Sequence, residues 1–194
     1  MRLPGSTEVY RIFYSGVDYP SNWNRFRYFG PTASRFDHQL GGQKGEGVVQ
    51  ERGIMYLATG PEAIPTCLAE VFQASRVIDR HSKKPVLTGF VLQSEVQLLD
   101  LSGQFATRIG ASAAIHSGPR PRARRWSQNL YEAYSDIDGL YYCSSMNGNH
   151  PVIALYERAN TVAPTHPLFH RLLSDPALTT VLIETASKIG YRVV

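Results

Sequence analysis

The stretch GIMYLATGPEAIPTCLAEVF, residues 53–72, holds the reading on which the fold turns. Its first part, Gly53 to Thr59, is a run of β-forming and apolar residues and predicts a strand. Thr59-Gly60 ends that strand, and Pro61 suits the first position of a helix, where its missing N–H costs nothing. The spacing predicts a helix over 61–75, with Pro65 early enough to fit in the first turn. Taking Ile64 as the centre of the apolar stripe, Cys67, Leu68, Val71 and Phe72 fall on its side. Glu70, at about 100° per residue, falls off that stripe near Ala63 and Thr66. Two readings stay open for it: a solvated helix residue, or a carboxylate delivered to a cleft.

Outward from this stretch, EVYRIFY (Glu8 to Tyr14) alternates and predicts a first strand. Arg11 lies inside it, where a charge needs a partner or a cleft. Residues 15–47 show little periodicity but many aromatics, which suits a folded ligand-binding loop region. PVLTGFVL (Pro85 to Leu92) and EVQLLDL (Glu95 to Leu101) read as strands, and 103–116 as helical with Gly110 a weak point. ARRWSQNLYEAYSD, 123–136, has the spacing of an amphipathic helix. GLYYCSS and PVIALYE read as strands around a turn at Asn147-Gly148-Asn149, and 176–194 holds a last helix. Strands and helices mix without regular βαβ alternation, so the fold class is α+β.

The chain has 194 residues, which fits one domain spanning 1–194 with room for a sizeable core. Hydrophobic content of 43% and charged content of 19% exclude wholesale disorder. No apolar run approaches the ~20 residues of a membrane span, and the first residues lack a signal-peptide pattern. With two cysteines, Cys67 and Cys143, a reduced cytoplasmic protein is expected. The net charge of +4 favours anionic partners, and much of it sits in RPRARR, Arg120 to Arg125. That run reads as a solvated loop entering a helix, or as a nucleic-acid patch.

Several signatures are absent. There is no P-loop and no dinucleotide fingerprint, since GGQKGEG matches neither. HPLFH (His166 to His170) lacks the glutamate and third ligand of a zinc site, and no metal is expected.

The chain-ordered residues resemble the RES-domain family, named for an Arg, a Glu and a Ser. The pattern is Tyr10-Arg11, then Phe29-Gly30-Pro31 with Arg35-Phe36-Asp37, then Tyr56 and Glu70, then Trp126-Ser127 and Ser144 before ALYE. It covers about residues 8–158 and leaves a helical tail, 161–194, without a family motif. Where relatives carry GGRW, this chain has SRFDHQLGG. The resemblance implies a compact single domain with a split central β-sheet, like the diphtheria-toxin-like mono-ADP-ribosyltransferases. It implies a toxin of a toxin–antitoxin pair that consumes NAD+ by cleaving its nicotinamide–ribose bond, as glycohydrolase or phosphorylase, or that transfers ADP-ribose to a protein. NAD+ is then substrate, and no further cofactor is expected.

On the same ground Glu70, Arg11 and Ser144 are the implied catalytic residues. Arg35, Tyr56, Phe29, Gly30 and Ser127 are the implied NAD-binding residues, with Ser144 and Ser127 competing for the family serine. An Xre-type antitoxin is the implied partner, a homodimer is compatible, and direct nucleic-acid binding is not expected. Two other function classes compete: a nucleic-acid-binding module using Arg120 to Arg125, and a pure interaction subunit.

Overall fold

The alternating segment Glu8–Tyr14 forms a strand with those bounds, and its alternation assigns the two faces of the sheet around it. The computed structural model describes residues 1–194. In chain order the strands are β1 (Arg2–Leu3), β2 (Glu8–Tyr14), β3 (Arg27–Gly30), β4 (Val48–Thr59), β5 (Val77–Ile78) and β6 (Pro85–Val91). They continue with β7 (Val96–Asp100), β8 (Gly139–Cys143), β9 (Pro151–Tyr156), β10 (Phe169–Leu172) and β11 (Arg192–Val193). The helices are α1 (Ala63–Val71), α2 (Gln104–Arg108), α3 (Ala114–Ser117), α4 (Arg120–Ala133) and α5 (Thr179–Ile189).

The main sheet runs β1-β7-β8-β9-β4-β2-β6-β10, with β3 added to β4, while β5 and β11 pair separately. It divides at its centre. β2 bonds β4 only through Val9–Thr59 and Tyr10–Ala58. It then follows β6 along its whole length, while β4 goes with β9 and β3. The expected α+β class with a split central sheet is the fold observed.

The faces carry different loads. Val9 and Phe13 of β2, Met55 and Leu57 of β4, and Ile153 and Leu155 of β9 share one core with Trp23 and Phe26. The opposite face carries two helical layers. α1 and α5 cover the β2–β6 half, packing Leu68, Phe72 and Leu182 around Leu87. α3 and α4 cover the β4–β9–β8 half, with Ile115, Ala123 and Leu130 against Tyr142 and Tyr156. Burying one such side chain contributes ~1.5–3 kcal/mol, so each layer has its own core and a seam runs between them above the split.

Three expectations are corrected. The run 103–116 is two short helices, α2 and α3, because Gly110 takes φ 79° between them. Helix α4 begins at Arg120, so RPRARR is its first turns and not a loop; Pro121 falls where a missing N–H is tolerated. The 15–47 region contains β3. His170 lies on β10 opposite Thr88, in an edge strand that local sequence did not mark, because its residues are mostly exposed. Cys67 and Cys143 are unpaired. No helix is long and apolar enough to cross a membrane.

Candidate active site

Helix α1 presents Ala63, Thr66, Cys67, Leu68 and Ala69 to the interior, so it is embedded on more than one side. Thr66 is fully buried and Glu70, one turn on, is half-buried at the seam. The hairpin joining β8 to β9 meets this side of α1. Gly148 and Asn149 take the expected positive φ, 53° and 61°, which folds the turn back. Ser144 Oγ donates to Glu70 Oε1 at 2.6 Å, across 74 residues of sequence. The same oxygen accepts from the backbone N–H groups of Met146 and Asn147, both at 3.1 Å. Asn147 Nδ2 donates to Thr66 Oγ1 at 2.9 Å, so two side-chain bonds tie hairpin to helix. Gln73 Nε2 donates to the backbone carbonyl of Glu70 at 2.6 Å and to its Oε2 at 3.3 Å.

Arg35 supplies the cation. It is half-buried, and its Nη1 donates to the carbonyl of Gly118 at 2.6 Å. Burial lowers its pKa from the ordinary value; the Glu70 charge opposes that shift and Arg120 adds to it. The ring hydroxyls of Tyr142 and Tyr56 also lie within its field. Tyr142 is 5% exposed and packs on Phe36 with ring centres 4.4 Å apart. Burial, then the Glu70 charge, raise its pKa well above the ordinary value, so it is a neutral hydroxyl beside the carboxylate.

Tyr56 forms the next wall. Its hydroxyl donates to Asp37 Oδ1 at 2.7 Å, and burial together with Asp37 raises its pKa well above the usual range. Asp37 is 0% exposed and fully engaged. It receives Arg27 Nη2 at 2.7 Å, the Thr32 N–H at 2.6 Å and the Thr32 hydroxyl at 2.8 Å. It therefore braces the 31–37 segment that carries Arg35.

Arg11 is in a different environment. It is 6% exposed, and its Nη1 donates to the carbonyls of Trp23 and Arg25, both at 3.1 Å, and of Asn22 at 3.3 Å. Burial lowers its pKa to about 10. It makes no ion pair with Glu70. It stands one residue past the last β2–β4 pair, closing the split from beneath by holding the 22–25 segment.

Phe29 stacks on Tyr19 at 4.1 Å and 8°, away from the carboxylate. Gly30 is set by packing: a Cβ there would lie 1.9 Å from Gln39 Oε1. Ser127 is 0% exposed, and its hydroxyl donates to the Phe36 carbonyl at 2.8 Å, pinning α4 to the 31–37 segment. The structure thus brings Glu70, Ser144, Arg35 and Tyr56 to one seam and leaves Arg11, Phe29, Gly30 and Ser127 in supporting positions. Of the competing serines, Ser144 is the one at the carboxylate. Cys67 donates to the Tyr10 carbonyl at 3.3 Å, and burial pushes its thiol up to about 12, which removes it as a nucleophile.

Sequence reasoning passed over Tyr142, Gln73 and Asn147. Each lies two or three residues from a residue it did single out, which was the available signal. An open groove of about 1000 Å³ lies elsewhere: it runs past Ser21, Asn22, Arg25, His170 and Asp175 and contains none of the seam residues. The one carboxylate that lines it, Asp175, is already paired with Arg171.

No family model matches this sequence. No curated protein matches it either. Among solved structures, a chain of the M. tuberculosis MbcT–MbcA toxin–antitoxin complex is similar, with a TM-score of 0.57 and 14% identity. The match covers 93% of this chain and 91% of that one. At that identity the likeness is one of fold.

Proposed function

We propose that this chain is an NAD-consuming enzyme of the toxin type, cleaving the nicotinamide–ribose bond of NAD+ with water or phosphate as acceptor. The observation that carries this reading is the Glu70–Ser144 contact at 2.6 Å beside Arg35. A carboxylate, a hydroxyl and a guanidinium, distant in sequence, converge at the seam of a fold shared with a chain from a toxin–antitoxin complex.

The residues suit the chemistry. Cleavage breaks the C1′–N bond; its electron pair goes to the nicotinamide nitrogen, which loses its positive charge, and an oxocarbenium-like ribose develops. The Glu70 carboxylate stabilises that charge and can accept a hydrogen bond from a ribose hydroxyl. Ser144 fixes which way the carboxylate points. A water acceptor then bonds C1′ through its oxygen and loses a proton to solvent, while a phosphate acceptor bonds C1′ through an anionic oxygen. Arg35 binds pyrophosphate oxygens through charge-assisted bonds. The Tyr56 ring offers a flat apolar wall for nicotinamide. Arg11 acts through the 22–25 segment that it holds. A cognate antitoxin that covers the seam accords with this reading.

The test is NAD+ depletion with product analysis by the purified chain. Wild type is expected to release nicotinamide, and Glu70→Gln, which keeps the shape and removes the charge, to be slower by about 10²–10³. ADP-ribose or ADP-ribose-1″-phosphate as product identifies water or phosphate as acceptor. A folded wild-type chain that leaves NAD+ intact would sink the proposal.

A further inference from the structure

We infer that Arg120 and Arg124, at the start of α4, join Arg35 to form an anion-binding rim that selects a diphosphate-bearing dinucleotide over a nucleoside. This rests on the function proposed above and names a specificity determinant of the same site. The arginine-rich run, read from sequence as a solvated loop or a nucleic-acid patch, is turned toward the seam on one side of α4. Arg120 Nη2 donates to Gln73 Oε1, and Gln73 in turn donates to Glu70. A continuous hydrogen-bonded path therefore joins the carboxylate to the helix start. Arg120 Nη1 also reaches the Ala33 carbonyl at 3.2 Å, and Arg124 Nη1 the Thr32 carbonyl at 3.1 Å. Arg35 reaches back to Gly118, just before α4.

These contacts hold three guanidiniums along the 32–35 segment, and every partner is a neutral carbonyl or amide oxygen. Arg27, Arg52 and Arg171 each have a carboxylate; Arg35, Arg120 and Arg124 have none. All three are half-buried. A guanidinium has five donors in a planar fork, and these three use one or two each. Glu70 is the one acid on this path, so the rim keeps an excess of positive charge. Half-buried like charges repel at a cost that a bound dianion removes. Arg122 and Arg125 lie on the exposed side of the same helix and make no side-chain hydrogen bond or ion pair, so they serve as controls.

The experiment is titration of the full chain with inorganic pyrophosphate, beside steady-state kinetics with NAD+ and with nicotinamide riboside. Wild type is expected to bind pyrophosphate, more weakly as salt rises. Arg120→Gln and Arg124→Gln are each expected to weaken that binding by on the order of tenfold, the scale of one charge-assisted hydrogen bond. Both should raise KM for NAD+, and both should affect nicotinamide riboside cleavage less than NAD+ cleavage; for Arg124→Gln, which has no bond on the path to Glu70, kcat should change little. Arg122→Gln should change none of these. Two independent variants guard against misfolding, with thermal melts as the check.

Pyrophosphate binding that is absent in wild type, or unaffected by both inward substitutions, overturns the rim. So does a fall in kcat without a rise in KM. Rim-dependent pyrophosphate binding in a chain that spares NAD+ supports the rim and removes the proposed reaction. NAD+ cleavage that ignores both arginines does the reverse.

Discussion

Arg11 shows how a residue type can be legible while its surroundings are not. A charged side chain inside a strand needed partners, and it has four: the backbone carbonyls of Asn22, Trp23 and Arg25 and the Ser21 hydroxyl. Its work is to hold a loop across the split, so Arg11→Ala leaves buried acceptors unsatisfied. A loss of about 2–4 kcal/mol in urea unfolding is expected, with Arg11→Lys recovering little because an ammonium lacks the planar fork. An Arg11→Ala chain as stable as wild type would end this account. The two serines divide the same way. Local sequence does not decide between Ser127, which follows Trp126 in a helix, and Ser144, which follows the strand GLYYC. One ends on the carbonyl of Phe36 in the core and the other on Glu70. That difference lies in tertiary contact, which spacing does not encode.

At the scale of elements, the strand–turn–helix order at 53–72 was legible, though the strand starts earlier, at Val48, and the helix is shorter, Ala63–Val71; Glu70 was only half legible. Helix periodicity placed it beside Thr66 and off a stripe centred on Ile64, which is its true position. Of the two readings left open for it, the solvated one falls away because Thr66, on the same side, is buried and Ser144 bonds the carboxylate. A short helix wedged between a sheet and a hairpin has more than one interior side, and single-stripe reasoning assumes one. The start of α4 was misread for a related reason. Proline and arginine density marks a loop by composition, while Pro121 at the first turn is compatible with a helix. The α1–hairpin junction also yields a prediction. Ser144→Ala removes a hydrogen bond to a charged acceptor and frees the turn amides of Met146 and Asn147. Stability should fall by about 1–3 kcal/mol, and, on the proposed reaction, NAD+ turnover should fall by roughly tenfold or more as Glu70 loses its orientation. Unchanged turnover in a folded Ser144→Ala chain would remove Ser144 from the site.

Across the whole molecule, acid stability rests in part on Glu157. It ties β4, the segment at His38 and helix α4 together, accepting from the Gly53 N–H at 2.9 Å, His38 Nε2 at 3.3 Å and the Tyr131 hydroxyl. Burial pushes its pKa up, but bonds from His38, Tyr131 and Gly53 outweigh that and hold it at about 2. Burial lowers the His38 pKa, so His38 meets Glu157 as a neutral hydrogen-bond donor. The signs agree. The Glu157 contribution is complete above 4.5, its ordinary pKa, and disappears as pH falls toward about 2. Neutral His38 adds a further loss as pH drops below its ordinary 6.5. Urea midpoints measured against pH should fall in both windows, and Glu157→Gln should flatten the lower one. An unchanged slope in that variant would contradict the assignment.

The two helical layers have separate cores on one shared sheet, and the candidate site occupies the line between them. A ligand lodged there touches both layers and works as a cross-brace. Its binding energy then joins two layers whose cores are otherwise separate. An inhibitory partner therefore need not imitate the substrate. Clamping the layers together, or wedging them apart, would silence the carboxylate from outside, and either act would be read as a change in unfolding cooperativity before any change in shape.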